Sequence, residues 1–144
     1  MKRPAGKLYT SNVGGLDKLD FDAELWQITR AGFLIPNATL VRSLSPSSEL
    51  FSMYAKKWRY LSPRMWCPTY EEMFLKELQT DEKINSLRLA YRKLLDGINI
   101  VLICFCKDHN FCHRKLVGEF FVQYDINVIE LNPIEREQLT FFME

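Results

Sequence analysis

Three of the four cysteines and both histidines of this 144-residue chain fall within ten positions, in the stretch CFCKDHNFCHR that runs from Cys104 to Arg114. Such a set can supply a nucleophile or soft metal ligand (thiolate), a base near neutral pH (imidazole) and a forked donor for phosphate or carboxylate (guanidinium). Cys112, followed by His113 and Arg114 at an expected helix start, is the candidate nucleophile, because the positive end of a helix and neighbouring cations lower a thiol pKa. His113 is the candidate acid-base partner. Adjacent helical residues point about 100° apart, so His109 or a residue from another loop is an open alternative. Cys104 and Cys106, two positions apart on an apolar run, share one face of a strand and read as pocket wall, Cys104 as a small buried hydrophobe. Together with Cys112 and His113 they spell C-x-C-x5-C-H, ligand types acceptable to zinc. The first pair lies on an extended strand and not on a knuckle, so the expectation is no resident metal and no cofactor.

These residues must be positioned by the elements around them. INIVLIC (Ile98–Cys104) is a buried strand, and open α/β sheets build ligand sites outside the carboxyl ends of strands. Two other strand ends carry polar groups: Thr10, Ser11 and Asn12 after KLYT (7–10), and Arg42 after ATLV (38–41). Leu16–Gln27 is compatible with a helix. Ser45 as N-cap with Pro46 at the first helical position opens a second helix. Tyr60–Pro68, with two prolines and no period, reads as a loop, and Thr69 with Glu72 forms a capping box for the next helix. Asp81–Asp96 is the clearest helix, stopped by Gly97. His113–Tyr124 gives another, Asn127–Leu131 a strand, and Asn132–Pro133 with Glu135 the start of a last helix. The alternation implies one α/β domain over 1–144, a three-layer arrangement in which a mostly parallel sheet is flanked by helices. Right-handed crossovers then bring Thr10, Ser11, Asn12, Arg42, Cys104, Cys106 and Arg114 to one edge, where Arg42 and Arg114 are expected to face one cavity.

Composition narrows the classes. The chain is 47% apolar and 26% charged, enough for a sizeable core, and 19 basic residues against 18 acidic ones give no electrostatic pull toward nucleic acid. No apolar run is long enough to cross a bilayer, no secretory leader is legible, and the clustered cysteines are not a spaced disulfide framework. A cytoplasmic protein without a membrane partner is the expectation.

Several segments in one order carry a resemblance: YTSN (9–12), VRSLSPSSEL (41–50), YEEMF (70–74) and LICFCKDHNFCHRKLVGEF (102–120). The chain resembles the domain of unknown function 488 family, in which a strand ends in cysteine and Cys-His-Arg heads a helix. Cys104, Cys112, His113 and Arg114 match that pattern, whereas Cys106 stands where many members have glutamate. The resemblance implies a compact α/β domain and no established activity. The combined expectation is a small-molecule-binding domain for an anionic, nucleotide-like ligand at the Cys-His-Arg loop, with nucleotide or base processing left open. A zinc-stabilised or ligand-free interaction domain is the first alternative. A nucleic-acid-binding domain using Lys56, Lys57, Arg59 and Arg64 is the second.

Overall fold

Every residue of β4 (Ile100–Cys104) is buried, and this strand lies at the centre of a five-stranded parallel sheet. The computed structural model describes residues 5–106 and 108–134. Its other strands are β1 (Leu8–Asn12), β2 (Glu24–Gln27), β3 (Ala38–Leu40) and β5 (Val128–Glu130), in the order β3-β2-β4-β1-β5. A continuous apolar run such as IVLIC is what a parallel strand covered on both faces requires. The register pairs Asn12 with Cys104 and Trp26 with Leu102, so β1 and β4 end level at the carboxyl edge.

Alternation along β4 divides the core. Ile100, Leu102 and Cys104 enter the larger apolar cluster, and Val101 and Ile103 the smaller. The larger receives Leu50 from α1 (Ser48–Lys56), Trp66, Tyr70 and Phe74 from α2 (Pro63–Glu77), Leu87 and Leu94 from α3 (Asp81–Leu95), and Leu116 and Phe121 from α4 (His113–Val122). The smaller cluster is closed by Leu16, from a 3-10 turn at Val13–Lys18, and by Leu19, Phe21, Ile35, Phe105 and Leu131. The α/β class and parallel sheet are those expected. Among the described residues, the second covering layer consists of the 3-10 turn and loops, and the helix expected from Asn132–Pro133 and Glu135 falls largely outside them.

Three boundaries differ from the sequence reading. Leu16–Gln27 is not one helix: part of it is the 3-10 turn, and Glu24–Gln27 forms β2, because pairing with both β3 and β4 outweighs a weak local helical preference. Helix α1 is capped by Ser47, whose hydroxyl accepts from the Leu50 amide at 3.1 Å, while the Ser45 hydroxyl donates to the Arg42 carbonyl at 2.6 Å. Helix α2 starts at Pro63 and runs through Pro68. Pro63 occupies the first helical position, where its missing amide costs nothing, and burial of Trp66, Cys67 and Tyr70 holds the following turns despite Pro68. Gly97 does end α3, with φ of +87°.

Candidate thiol pocket

Beyond Cys104 the chain passes through a 3-10 turn at His109–Phe111, capped by the Asp108 carboxylate, which accepts from the Asn110 amide at 2.9 Å. It re-enters regular structure at α4, with Cys112 in the N-cap position and making no side-chain capping bond. Helix α4 lies close on the sheet at Gly118, where a Cβ would stand 2.9 Å from Val128 Cγ1 and 3.5 Å from Thr10 Cγ2. That approach returns Cys112 to the end of β4. The sulfurs of Cys104, Cys106 and Cys112 lie within 4.8 Å of one another, all as free cysteines.

Arg114, the second residue of the same helix, is completely buried. Its Nε donates to Glu130 Oε1 at 2.8 Å and its Nη2 to Glu130 Oε2 at 3.3 Å, a forked pair that neutralises the guanidinium. Nη1 points the other way, donating to the Cys106 carbonyl at 2.8 Å and to Cys104 Sγ at 3.2 Å. Burial acts to raise the Cys104 pKa, but thiol hydrogen bonds from Cys106 and Cys112, with His113 and Arg114 nearby, hold it well below the ordinary thiol value. The hydrogen bond to Cys104 is the main cause that pushes Cys106 up to about 12. Burial, with the same two neighbours, pushes Cys112 well up. Of the three thiols, Cys104, read from sequence as the inert one, is the one whose ionised form these surroundings favour.

His113 is held by the carbonyl of Ile28, which accepts from its Nε2, leaving Nδ1 3.8 Å from Cys112 Sγ. Burial lowers its pKa, so the ring is neutral and Nδ1 is the acceptor facing the thiol. The expected pair Cys112 and His113 is thus in contact, although their positions on the helix alone did not require it.

A cavity of about 110 Å³ opens beside the sulfurs. Cys104, Cys106, Cys112 and His113 form its inner end, and Tyr54, Trp66, Tyr70, Phe105 and Phe111 its walls, with Arg30 also lining it. Trp66 is 5% exposed, yet its indole Nε1–H has no hydrogen-bond partner. Buried donors are rarely left so.

The other expected site residues have different places. The Thr10 hydroxyl donates to Glu130 Oε1 at 2.9 Å, the Ser11 hydroxyl to the Asn12 carbonyl, and Asn12 Oδ1 accepts from the Gly15 amide and from Asn132 Nδ2. They build the turn after β1 and help hold Glu130, and do not line the cavity. Arg42 is exposed in a 3-10 turn after β3, with β2 and β4 between that strand and β1. Neither Arg42 nor Arg114 lines the cavity, and the Arg114 donors are already engaged by Glu130 and the Cys106 carbonyl. Glu130 and Arg30 carry no site expectation from sequence, whereas Trp66, with Trp58 and Tyr60, is one of the aromatics expected to stack on a base, and it alone of the three lines the cavity. Glu130 had one legible signal, a carboxylate at the end of an apolar strand.

A family model described as "Active DUF488-N3 subclade" matches residues 8–125, well over half of the chain and all of the pocket except Glu130, which lies behind Arg114. No curated protein and no solved structure matches. No helix among the described residues is long and apolar enough to cross a membrane.

Proposed function

We propose, for a chain that belongs to the DUF488 family, that the strand-end pocket holds the flat heterocycle of an anionic, nucleotide-like small molecule, ring inward against the thiols and charged end outward at Arg30. The observation that carries this reading is the Trp66 Nε1–H, buried and unpartnered in the wall of an aromatic cavity. A bound ring whose insertion turns the indole toward an acceptor would satisfy it, removing a cost on the order of 1–3 kcal/mol. Size supports the same class: an apolar cavity of roughly 150 Å³ binds benzene, so about 110 Å³ suits a single small ring and excludes a whole nucleotide. Tyr54, Tyr70 and Phe111 offer faces and edges for stacking.

Arg114 has a different part from the one its sequence position suggests. Its donors are engaged by Glu130, Cys104 and the Cys106 carbonyl, so it orders the inner wall. Arg30 lines the cavity and its Nε donates to the Pro46 carbonyl at 3.0 Å, which leaves its terminal nitrogens as the proposed anion contact. Cys112 and His113 would touch the inserted ring.

Calorimetric titration with a panel of nucleoside monophosphates, matched nucleosides and free bases tests this. At least one base should bind with saturable heat, its monophosphate more tightly. Trp66→Phe should weaken it about tenfold, the equivalent of one hydrogen bond of about 1.4 kcal/mol, and Arg30→Gln should remove the phosphate advantage. Absence of binding across the panel, or an unchanged affinity in Trp66→Phe, overturns the reading.

A further inference from the structure

We infer that Cys104, Cys106 and Cys112 form a three-sulfur site for zinc, with the fourth coordination position open to the aromatic cavity. The inference shares the pocket with the ligand reading but does not depend on what occupies it. The three sulfurs already lie within 4.8 Å of one another. With a zinc–sulfur bond of about 2.3 Å, tetrahedral ligands stand about 3.8 Å apart, so closure shortens each sulfur–sulfur separation by no more than about 1 Å. The C-x-C-x5-C spacing, which lacks the usual knuckle, becomes intelligible in three dimensions. Strand alternation sets Cys104 and Cys106 on one side, and the loop and α4 bring Cys112 back to them.

The donor set selects the ion. The cavity is lined by thiols, aromatic rings and a neutral imidazole, with no carboxylate among its described residues, which rules against magnesium and calcium and suits a thiophilic cation. Charge argues the same way. Three ionised sulfurs cannot be packed in a buried site without a cation, and zinc takes the place of the thiol protons, releasing them on binding. An outer shell is present too: Arg114 Nη1 donates to Cys104 Sγ and is itself fixed by Glu130, the arrangement that orients a metal ligand and tempers its charge. Cys106 is only half-buried, so the site has an entry. Three protein ligands and an open fourth position define a metal that can accept water or a donor atom of a bound molecule.

The test is titration of the full chain, stripped with chelator and kept reduced, with cobalt(II) and then zinc(II). One equivalent of cobalt should give the sulfur-to-cobalt charge-transfer band and the intense visible bands of a tetrahedral ion, and zinc should displace it. Cys106→Ser and Cys112→Ser should each weaken binding by more than about a hundredfold, beyond what outer-shell changes cause, while Cys67→Ala leaves it unchanged. If the serine variants do not fold, alkylation of the wild-type protein decides: zinc should protect three thiols and leave Cys67 as reactive as before. Lack of a stoichiometric cobalt spectrum, unchanged affinity in a folded Cys106→Ser protein, or equal alkylation with and without zinc overturns the site. Trp66→Phe should keep the cobalt spectrum, so loss of nucleotide binding and loss of metal are read separately.

Discussion

The two ends of the parallel sheet contain the same kinds of side chain in opposite states of satisfaction. At the amino end, Trp26 Nε1 donates to Glu24 Oε1 at 3.0 Å, Lys93 Nζ pairs with Glu24 Oε2 at 2.9 Å, and Asn99 bridges the Lys7 amide and the Asp22 carbonyl. At the carboxyl end, Trp66 Nε1 and His109 Nδ1 are buried without partners, and Trp66 lines the cavity that the three thiols also line. The side-chain donors of the amino end are satisfied by its own residues, although a cavity lined by Asp22, Glu24 and Asn99 lies there too. The carboxyl end keeps an unsatisfied indole donor in a wall shared with the thiols, and this contrast in satisfaction supports the site proposed there.

Within the carboxyl end, the Arg114–Glu130 pair is the one fully closed unit, and breaking it should have the largest effect. Arg114→Met leaves a carboxylate that is only 11% exposed without its partner, and should destabilise the fold by about 3–5 kcal/mol in urea denaturation. Removing both charges in Arg114→Met/Glu130→Leu should recover much of that loss. A single variant that loses less than about 1 kcal/mol would mean the pair is ornamental and the two ends differ less than argued.

Pro68 comes next. It is exposed inside α2, the helix that supplies Trp66 and Tyr70, and it leaves the Arg64 carbonyl without its helical donor. Pro68→Ala should stabilise the protein by about 1–3 kcal/mol in the same assay. A destabilised variant would show that the proline holds the pocket wall in place.

The tryptophans give the sharpest test. Trp26→Phe loses a hydrogen bond to a carboxylate and should cost about 1 kcal/mol more than Trp66→Phe, which removes an unsatisfied donor. Equal losses of stability would erase the contrast between the two indoles.

The smallest effect is a pH dependence at the amino end. Hydrogen bonding from Trp26 and then Lys93 lowers the Glu24 pKa from 4.5. A depressed folded value contributes stability that is full above pH 4.5 and fades as pH falls through the lowered value. The carboxylate is 38% exposed, so screening reduces the contribution to a few tenths of a kcal/mol. Comparing Glu24→Gln with wild type at pH 7 and pH 3 should show the difference shrinking in acid, and a growing difference would reverse the sign.

Local sequence determined the strands and helices with strong patterns. IVLIC could only be a buried strand, Gly97 stops α3 through its positive φ, and the Cys-His-Arg helix begins where its motif begins. Weak patterns were decided elsewhere: β2 forms because two neighbours pair with it, and α2 passes Pro68 because buried aromatics hold it. The site divides along the same line. Clustering of Cys104, Cys106, Cys112, His113 and Arg114 is visible in the chain because they are close in sequence, and so is their place at a strand end. Which thiol carries the charge is not, since that balance is set by burial and by hydrogen bonds among groups that converge only when α4 packs on the sheet. Nor does sequence show that Arg114 is committed to Glu130, sixteen residues away on an edge strand, while Arg42 follows the opposite edge strand with three strands between. Spacing along the chain predicts contacts within one element or one turn; contacts between elements depend on strand order and helix approach, which only tertiary packing sets.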